Sequence, residues 1–432
     1  MNCELQSLVA MAGIVQQEEG IFTADGTPLR VSLARALRRQ KIRALLLVAP
    51  LLLFISITFL VPIGDMLFRS VDNKIVAEVL PHSTKLLANW DPALGQLPSE
   101  EVYAAMVKDL KEGRKNRTIT RAGQRLNYES SGMSSLFRSS GRKAKRIKAP
   151  PYKEALIKTK KEWGEIETWK LIKQFSTAYT DGYLLAAVDT KRQFEGGVVQ
   201  VSESRRIYLP LFVRTLRLSL IITLLTLLFG FPVAYLMANL PTKASNVLLI
   251  FVLLPFWTSL LVRTTAWIAL LQQQGVINEF LVVVGLVSTE NRPQMIHNEF
   301  GTVVAMTHIL LPFMVLPLFS VMKTIPGSYV RAAVSLGAHP WVAFWKIYFP
   351  NTVPGIGAGA ILVFILAIGY YITPELVGGT TGTFISNRIA HHISSSLNWG
   401  LAASLGIILL AVVIALFLIY DKIVGIDNMK LG

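Results

Sequence analysis

The sequence predicts an all-α membrane protein: six transmembrane helices, with a mostly helical domain inserted between the first and the second. Three observations lead there. Hydrophobic residues make up 52% of the 432-residue chain, and mean hydropathy is +0.48. Six apolar runs, at about 44–67, 211–238, 247–271, 300–322, 357–374 and 402–420, are each long enough to cross a hydrocarbon core of about 30 Å, which takes about 20 helical residues. Between the first two runs lies a polar stretch of about 140 residues.

Residues 1–43 read as a cytoplasmic tail followed by an amphipathic surface helix. Leu29, Leu33 and Leu37 recur at helical spacing opposite Arg30, Arg38 and Lys41. Residues 1–28, with Gly13, Gly20, Gly26 and Pro28, suggest a poorly ordered tail. Residues 44–68 form the first transmembrane helix, which Pro62, Gly64 and Asp65 are expected to break near its far end. No small-residue cleavage pattern follows this run, so it is expected to remain as an anchor. Residues 69–210 are the extracytoplasmic helical insert. Residues 211–425 make a five-helix transmembrane core that includes a cytoplasmic loop at 323–356, and 426–432 is a cytoplasmic C-terminus.

Lysine and arginine set this orientation. Arg30, Arg35, Arg38, Arg39, Lys41 and Arg43 hold the N-terminus inside. Lys243, the 323–356 loop with Lys323, Arg331 and Lys346, and the C-terminus with Lys422 and Lys430 fall on the same side. The outer loops near 272–299 and 375–400 carry only Arg292 and Arg388. In the insert, acids open a helix after Ser99, and Leu156, Trp163, Ile166, Trp169, Ile172 and Phe175 give a second helical region an apolar face. The Ser-, Gly- and Arg-rich stretch from Ser130 to Arg142 reads as a mobile link.

Net charge is +16, and anchoring charges account for part of it without nucleic acid. The single Cys3 allows no internal disulfide. No Gly-Lys dipeptide occurs, so the phosphate-binding loop of ATPases is absent. No HExxH, GxSxG or cysteine–histidine metal spacing occurs either. The sequence therefore offers no catalytic residue, no cofactor-binding residue and no metal ligand set. His391 and His392 are adjacent and point apart on a helix, which disfavours a metal site.

Ionisable groups inside the spans are costly, about 2.5–3.5 kcal/mol each at a helix centre. Arg263, one turn before Trp267 in the third run, needs a partner; pairing within the bundle is favoured, and contact with a solute is the other role. His308 reads as a satisfied core histidine. Glu375, beside Tyr370, Tyr371 and Thr373, offers charge and aromatic faces suited to an organic cation, or else is an exposed carboxylate at the membrane edge. The cluster Gly355, Gly357, Ala358 and Gly359 fits either close helix approach or a flexible entry to the fifth span.

The segment from Gly327 to Pro350, GSYVRAAVSLGAHPWVAFWKIYFP, has more structure than a short loop needs. A helix over Val330–Leu336 would end at Gly337 in the left-handed region, and Pro340 would open the next helix. Within it, RAAVSLGAHPWVAFWKIYFPNTVPGI resembles the EAA loop of ATP-binding-cassette importer permeases, carried by Ala332, Ala333, Gly337 and Phe349-Pro350. LPFWTSLLVRTTAWIALLQQQGVIN and TPELVGG look like the spermidine/putrescine branch of that family. The likeness covers about 40–68 and 205–425, leaving out the insert and the first 28 residues.

The resemblance implies the type I importer permease architecture in a bacterial inner membrane, as a transport subunit and not an enzyme. Arg331, Ala332, Ala333, Leu336, Gly337 and Ala338 would form the helix that couples to an ATPase. Arg263, Trp267, Tyr370, Tyr371, Thr373 and Glu375 would be candidates for the solute pathway. ATP and Mg would be held on a partner ATPase pair. The other implied partners are a second permease subunit, an extracytoplasmic solute-binding protein, membrane lipids and a small cationic or zwitterionic solute. That solute would be a polyamine, or a related nitrogenous compound such as an opine or amino-acid derivative. Arg331 stands where the family has Glu, and Glu375 where relatives commonly have a small residue. The alternative function is an ion-coupled secondary transporter, which would show internal repeats and paired broken helices; no repeat is evident here.

Overall fold

The computed structural model describes residues 29–193 and 196–424, with side chains described over 36–193 and 196–422. The expectations for the tail before Leu29, for the side chains of Arg30, Leu33 and Arg35, and for the segment after Val424 lie outside them.

The chain divides at Met66 into two units. In the first, helix α1 (Leu29–Ile55) runs through a π-turn at Ser56–Leu60 into α2 (Val61–Phe68). No turn separates the basic segment before Arg43 from the span. The expected break is likewise a π-turn within a continuous helix: Val61 N–H reaches back to Ser56 O, just ahead of Pro62. A proline lacks the N–H and crowds the carbonyl four residues back, and one added residue per turn relieves both. The same device recurs at Phe344–Tyr348, again two residues before a proline, Pro350.

The second unit starts with the insert. Helices α3 (Ile75–Val79), α4 (Pro81–Ala88), α5 (Glu100–Lys115), α6 (Ile119–Asn127), α7 (Met133–Lys143), α8 (Tyr152–Thr159), α9 (Ile166–Gln174) and α10 (Gly182–Ala187) precede a two-stranded antiparallel ribbon, β1 (Thr190–Arg192) and β2 (Val198–Gln200). Helices α3 to α9 share one apolar core. Trp163 and Trp169 lie at its centre: Tyr103 Oη donates to Trp163 O at 2.7 Å, Trp169 Nε1 to the same oxygen at 3.0 Å, and Trp163 Nε1 to Ser140 Oγ at 2.8 Å. Burial pushes the Tyr103 hydroxyl up to about 12. The expected mobile link is instead α7. Its Met133, Leu136 and Phe137 are buried at i, i+3, i+4 spacing, and Gly123 lies so near that a Cβ there would stand 2.8 Å from Phe137.

Asp189 joins this region to the membrane core. It is buried, and its carboxylate accepts from the N–H groups of Ile207, Tyr208 and Leu209 at 3.0, 3.1 and 2.7 Å. These are orphan donors at the start of α11 (Tyr208–Asn239), and a carboxylate there also complements the helix dipole. Tyr183 packs with Leu211, Phe212 and Leu405 in a small shared core.

The core consists of α11, α12 (Thr242–Leu253), α13 (Leu260–Leu271), α14 (Val276–Val283), α15 (Glu299–Thr324), α16 (Gly327–Ser335), α17 (Pro340–Ala343), α18 (Phe349–Gly369), α19 (Ile372–Val377), α20 (Ile385–Ser394) and α21 (Trp399–Val424). Among the described residues, five helices are long and apolar enough to span a membrane, or six if one bent pair counts as a span. That pair corrects the third run, 247–271: it bends by 96° between Trp257 and Leu260. Pro255 sits in a 3₁₀ turn, Thr258 is extended, and Ser259 Oγ caps α13 by accepting Val262 N–H at 3.2 Å. The fifth run is also corrected. Its helix is continuous from Pro340 to Gly369, so the second half of the 323–356 loop is helical and Tyr370 to Thr373 lie beyond the span's end.

Helices α11, α15 and α18 pack on one another around Met306, Leu310, Met314 and Leu318. A Cβ on Gly359 would lie 2.7 Å from Met314 Sδ, and one on Gly355 would lie 2.9 Å from Val321 Cβ. The glycines thus serve close helix approach rather than a flexible entry.

Candidate coupling loop and solute pathway

Helix α16 ends in a Schellman motif. Gly337, at φ +90°, donates N–H to Val334 O at 2.9 Å, and Ala338 donates to Ala333 O at 3.0 Å. The left-handed position requires glycine, and the two hydrogen bonds satisfy carbonyls that the helix end would otherwise leave open. His339 Nδ1 then accepts from Trp341 N–H at 3.3 Å, with Pro340 at the first turn of α17. Between these two caps the chain presents Leu336 at its tip, 90% exposed, beside exposed Tyr329, Arg331, Ala332 and Trp341; Ala333 and Ala338 are half-buried. Arg331 lies back along its own helix toward Gly327.

An aromatic cluster ties this loop to the spans. Phe344 stacks on Tyr348 (5.8 Å) and on Trp341 (6.2 Å), and Tyr235 of α11 meets Phe344 and Tyr348 edge-on at 5.8 and 5.3 Å. Ring packing of this kind adds about 0.5–1.5 kcal/mol per pair beyond area burial. Trp341 is thus joined through packed rings to α11 and to the start of α18. Tyr235 is a residue the sequence reading missed; it looks like any aromatic in a span.

The candidate pathway residues fall into two groups. Arg263 and Trp267 share α13. Trp267 Nε1 donates to His308 Nδ1 at 3.2 Å, with the rings edge-on at 5.4 Å. His308 is thus an exposed acceptor on α15, not a core histidine. Arg263 is an electrostatic neighbour of both His308 and Tyr370, yet its Nε is buried without a hydrogen bond. The favoured pairing within the bundle does not satisfy that Nε. Thr373 is buried against α13, with Oγ1 3.2 Å from Thr264 Oγ1.

The second group lies on the turn that follows α18. Tyr371 and Glu375 are exposed, and Asn387 Nδ2 donates both to Tyr371 O at 2.8 Å and to Glu375 Oε2 at 2.6 Å. Ser386 Oγ donates to Tyr370 O at 2.5 Å. Neither Ser386 nor Asn387 was read from the sequence, because a Ser-Asn pair in a stretch read as a polar loop carries no motif. None of the pathway residues lines the cleft of about 920 Å³ between the insert and the ends of α11 and α21, which is bounded instead by Glu129, Glu165, Asp181, Arg192, Tyr208 and Leu401 among others.

Two histidine clusters are structural. Asp109 accepts from His82 N–H, His82 Nδ1, Ser83 N–H and Ser83 Oγ, so it caps α4 with its lone pairs in use. Both ring nitrogens of His392 are engaged, by Tyr208 Oη at 3.0 Å and Ser396 Oγ at 2.8 Å.

The apolar helices and their packed core are those of a multi-pass membrane protein, and the sequence comparison gives its family. Residues 205–425 match the model of the family described as binding-protein-dependent transport system inner membrane component, and the chain belongs to that family. It is a multi-pass inner-membrane transport subunit and not an enzyme. It is 33% identical over 226 residues to the spermidine/putrescine transport system permease protein PotB of Salmonella typhimurium (strain SL1344), covering 52% of this chain and 78% of that one. PotB of Escherichia coli (strain K12) is 33% identical over 224 residues, 52% and 81% of the two chains. The inner membrane ABC transporter permease protein YdcU of the same strain is 32% identical over 225 residues, 50% and 71%. A crystal structure of a bacterial alginate ABC transporter, in complex with alginate pentasaccharide-bound periplasmic protein, is similar over 51% of this chain and 81% of its own at 20% identity and a TM-score of 0.42.

Proposed function

We propose that this chain is one half of the membrane channel of an ATP-driven importer for a polyamine or a related nitrogenous solute. Its partners are a second permease subunit, a pair of ATPase subunits that bind ATP and Mg, and an extracytoplasmic solute-binding protein. The N-terminus, the α16–α17 loop and the C-terminus face the cytoplasm, and the insert at 69–210 faces outward. The observation that carries the reading is the α16–α17 turn, a rigid double cap that exposes Leu336 and Trp341 and is locked by aromatic rings to two core helices. An exposed apolar tip on a rigid mount is a surface made to be covered. The two PotB relatives bear a spermidine/putrescine name, and Glu375 supplies an exposed carboxylate among aromatic groups at the outer end of α18, which supports a cationic solute.

The test is Ala333→Asp in the assembled complex. A charge at a half-buried position of the docking face should abolish solute-stimulated ATP hydrolysis and uptake, while the subunits still co-purify. Unchanged uptake would refute the coupling role.

A further inference from the structure

The charge of the insert is unevenly distributed. From 69 to 210 the chain carries 26 Lys and Arg against 16 Asp and Glu, a net charge of +10. The stretch from Arg114 to Lys148 alone holds eleven basic residues and one acid, Glu129, and so accounts for the same +10. Arg125 is the buried member, held by Asn73 and Glu129 with its guanidinium over Phe175 and Tyr183. The other ten are exposed and, among the described residues, none makes an ion pair or a side-chain hydrogen bond.

The fold gathers these charges at one end of the insert. Ile119, at the start of α6, is wedged between Gly113 at the end of α5 and Gly141 near the end of α7; Cβ atoms there would lie 3.2 and 3.4 Å from it. That junction brings Arg114, Arg117, Arg142, Lys145, Arg146 and Lys148 to neighbouring turns, and Lys111 Nζ pins the last segment by donating to Ile147 O at 2.7 Å. The opposite end of α6 touches the membrane core, where Tyr128 Oη and Gln124 Nε2 both donate to Ser396 O at 2.9 and 3.3 Å. Nine helical residues separate the two ends, about 13 Å. The basic end therefore lies about a helix length from the Ser396 junction.

We propose that this basic end of the insert docks an acidic face of the solute-binding protein. Ten unpaired cations repel one another, and a complementary surface removes that cost. A free polyamine would be repelled, so the complement of this surface is an acidic face of a protein. An anionic lipid surface has the same charge, but the cations clustered at the junction of α5, α6 and α7 lie about 13 Å along α6 from its contact with the membrane core. Such a surface steers encounter, so its effect falls on the half-saturating concentration and weakens with salt.

This proposal rests on the importer reading, and the experiment separates the two. The permease pair with its ATPase is placed in nanodiscs of zwitterionic lipid, and ATP hydrolysis is titrated with the spermidine-loaded binding protein that stimulates it. The combined substitution Arg142→Glu, Lys145→Glu and Arg146→Glu should raise the half-saturating concentration about tenfold and flatten its salt dependence. Basal hydrolysis and the maximal rate should stay unchanged, which also shows that the variant is folded. An unaltered half-saturating concentration overturns the proposal. So does loss of binding to phosphatidylglycerol vesicles in the variant with docking intact, which would assign the patch to lipid. If no binding protein, loaded with a polyamine, an opine or an amino-acid derivative, stimulates the wild-type complex, the importer reading itself fails and takes the proposal with it.

Discussion

Asn387 holds Glu375: its Nδ2 stands 2.6 Å from Oε2, while its Oδ1 accepts Phe384 N–H at 2.9 Å and so caps α20. One side chain thus starts a helix and aims the carboxylate on the neighbouring short helix. A hydrogen bond to a charged acceptor contributes about 1.5–3 kcal/mol, enough to fix the rotamer of an exposed glutamate.

If that carboxylate meets a cationic solute, Glu375→Gln should raise the apparent KM for spermidine uptake about tenfold with little change in maximal rate. Asn387→Ser should reproduce part of the effect, and the double variant should be no worse than Glu375→Gln alone. Equal uptake by Glu375→Gln would show that the carboxylate is only a surface group.

Gly400 lies directly against the Tyr183 ring where the insert packs on α21. A Cβ on Gly400 would lie 2.4 Å from the tyrosine ring, which must then shift. Gly400→Ala should destabilise the detergent-solubilised protein by about 1–3 kcal/mol, seen as a lower unfolding temperature. Adding Tyr183→Ala should recover none of the lost burial but should make Gly400→Ala neutral in that background. Additive effects would mean that the two residues do not meet.

His392 supplies a pH signature at the same junction. Burial, aided by the nearby His391 and Arg388, lowers its pKa from 6.5 to about 4. Between these values the unfolded chain takes up a proton that the folded chain refuses, so stability is full above pH 6.5 and declines as pH falls toward 4. The imidazole is partly exposed, so screening reduces the loss to about 1–2 kcal/mol. Unfolding temperature against pH should show this decline in the wild type and not in His392→Gln. Identical profiles would remove His392 as its source.

Much of this was legible in the sequence. Gly337 followed by Pro340 marked a helix end and a helix start, because only glycine takes φ +90° freely and only a first turn accepts proline. Long apolar runs located most of the spans. The third run was located but its bend was not, because hydropathy does not register a 3₁₀ turn at Pro255 or a serine that recaps a helix. The α7 helix was hidden by composition: serines and arginines suggest a linker, while Met133, Leu136 and Phe137 carry a short helical face. Asp189, Asn387 and His308 act through partners far away in sequence, and no local pattern announces such contacts.

The coupling claim is tested most directly at Leu336, the most exposed large hydrophobic side chain among the described residues. With Cys3 replaced by Ser, Leu336→Cys becomes the only thiol, and its labelling by a water-soluble maleimide reports whether anything covers the loop tip. The account predicts fast labelling of the permease alone and labelling slowed at least about tenfold once the ATPase subunits are bound, since a docked apolar tip is removed from water. Equal labelling rates with and without the ATPase would contradict it.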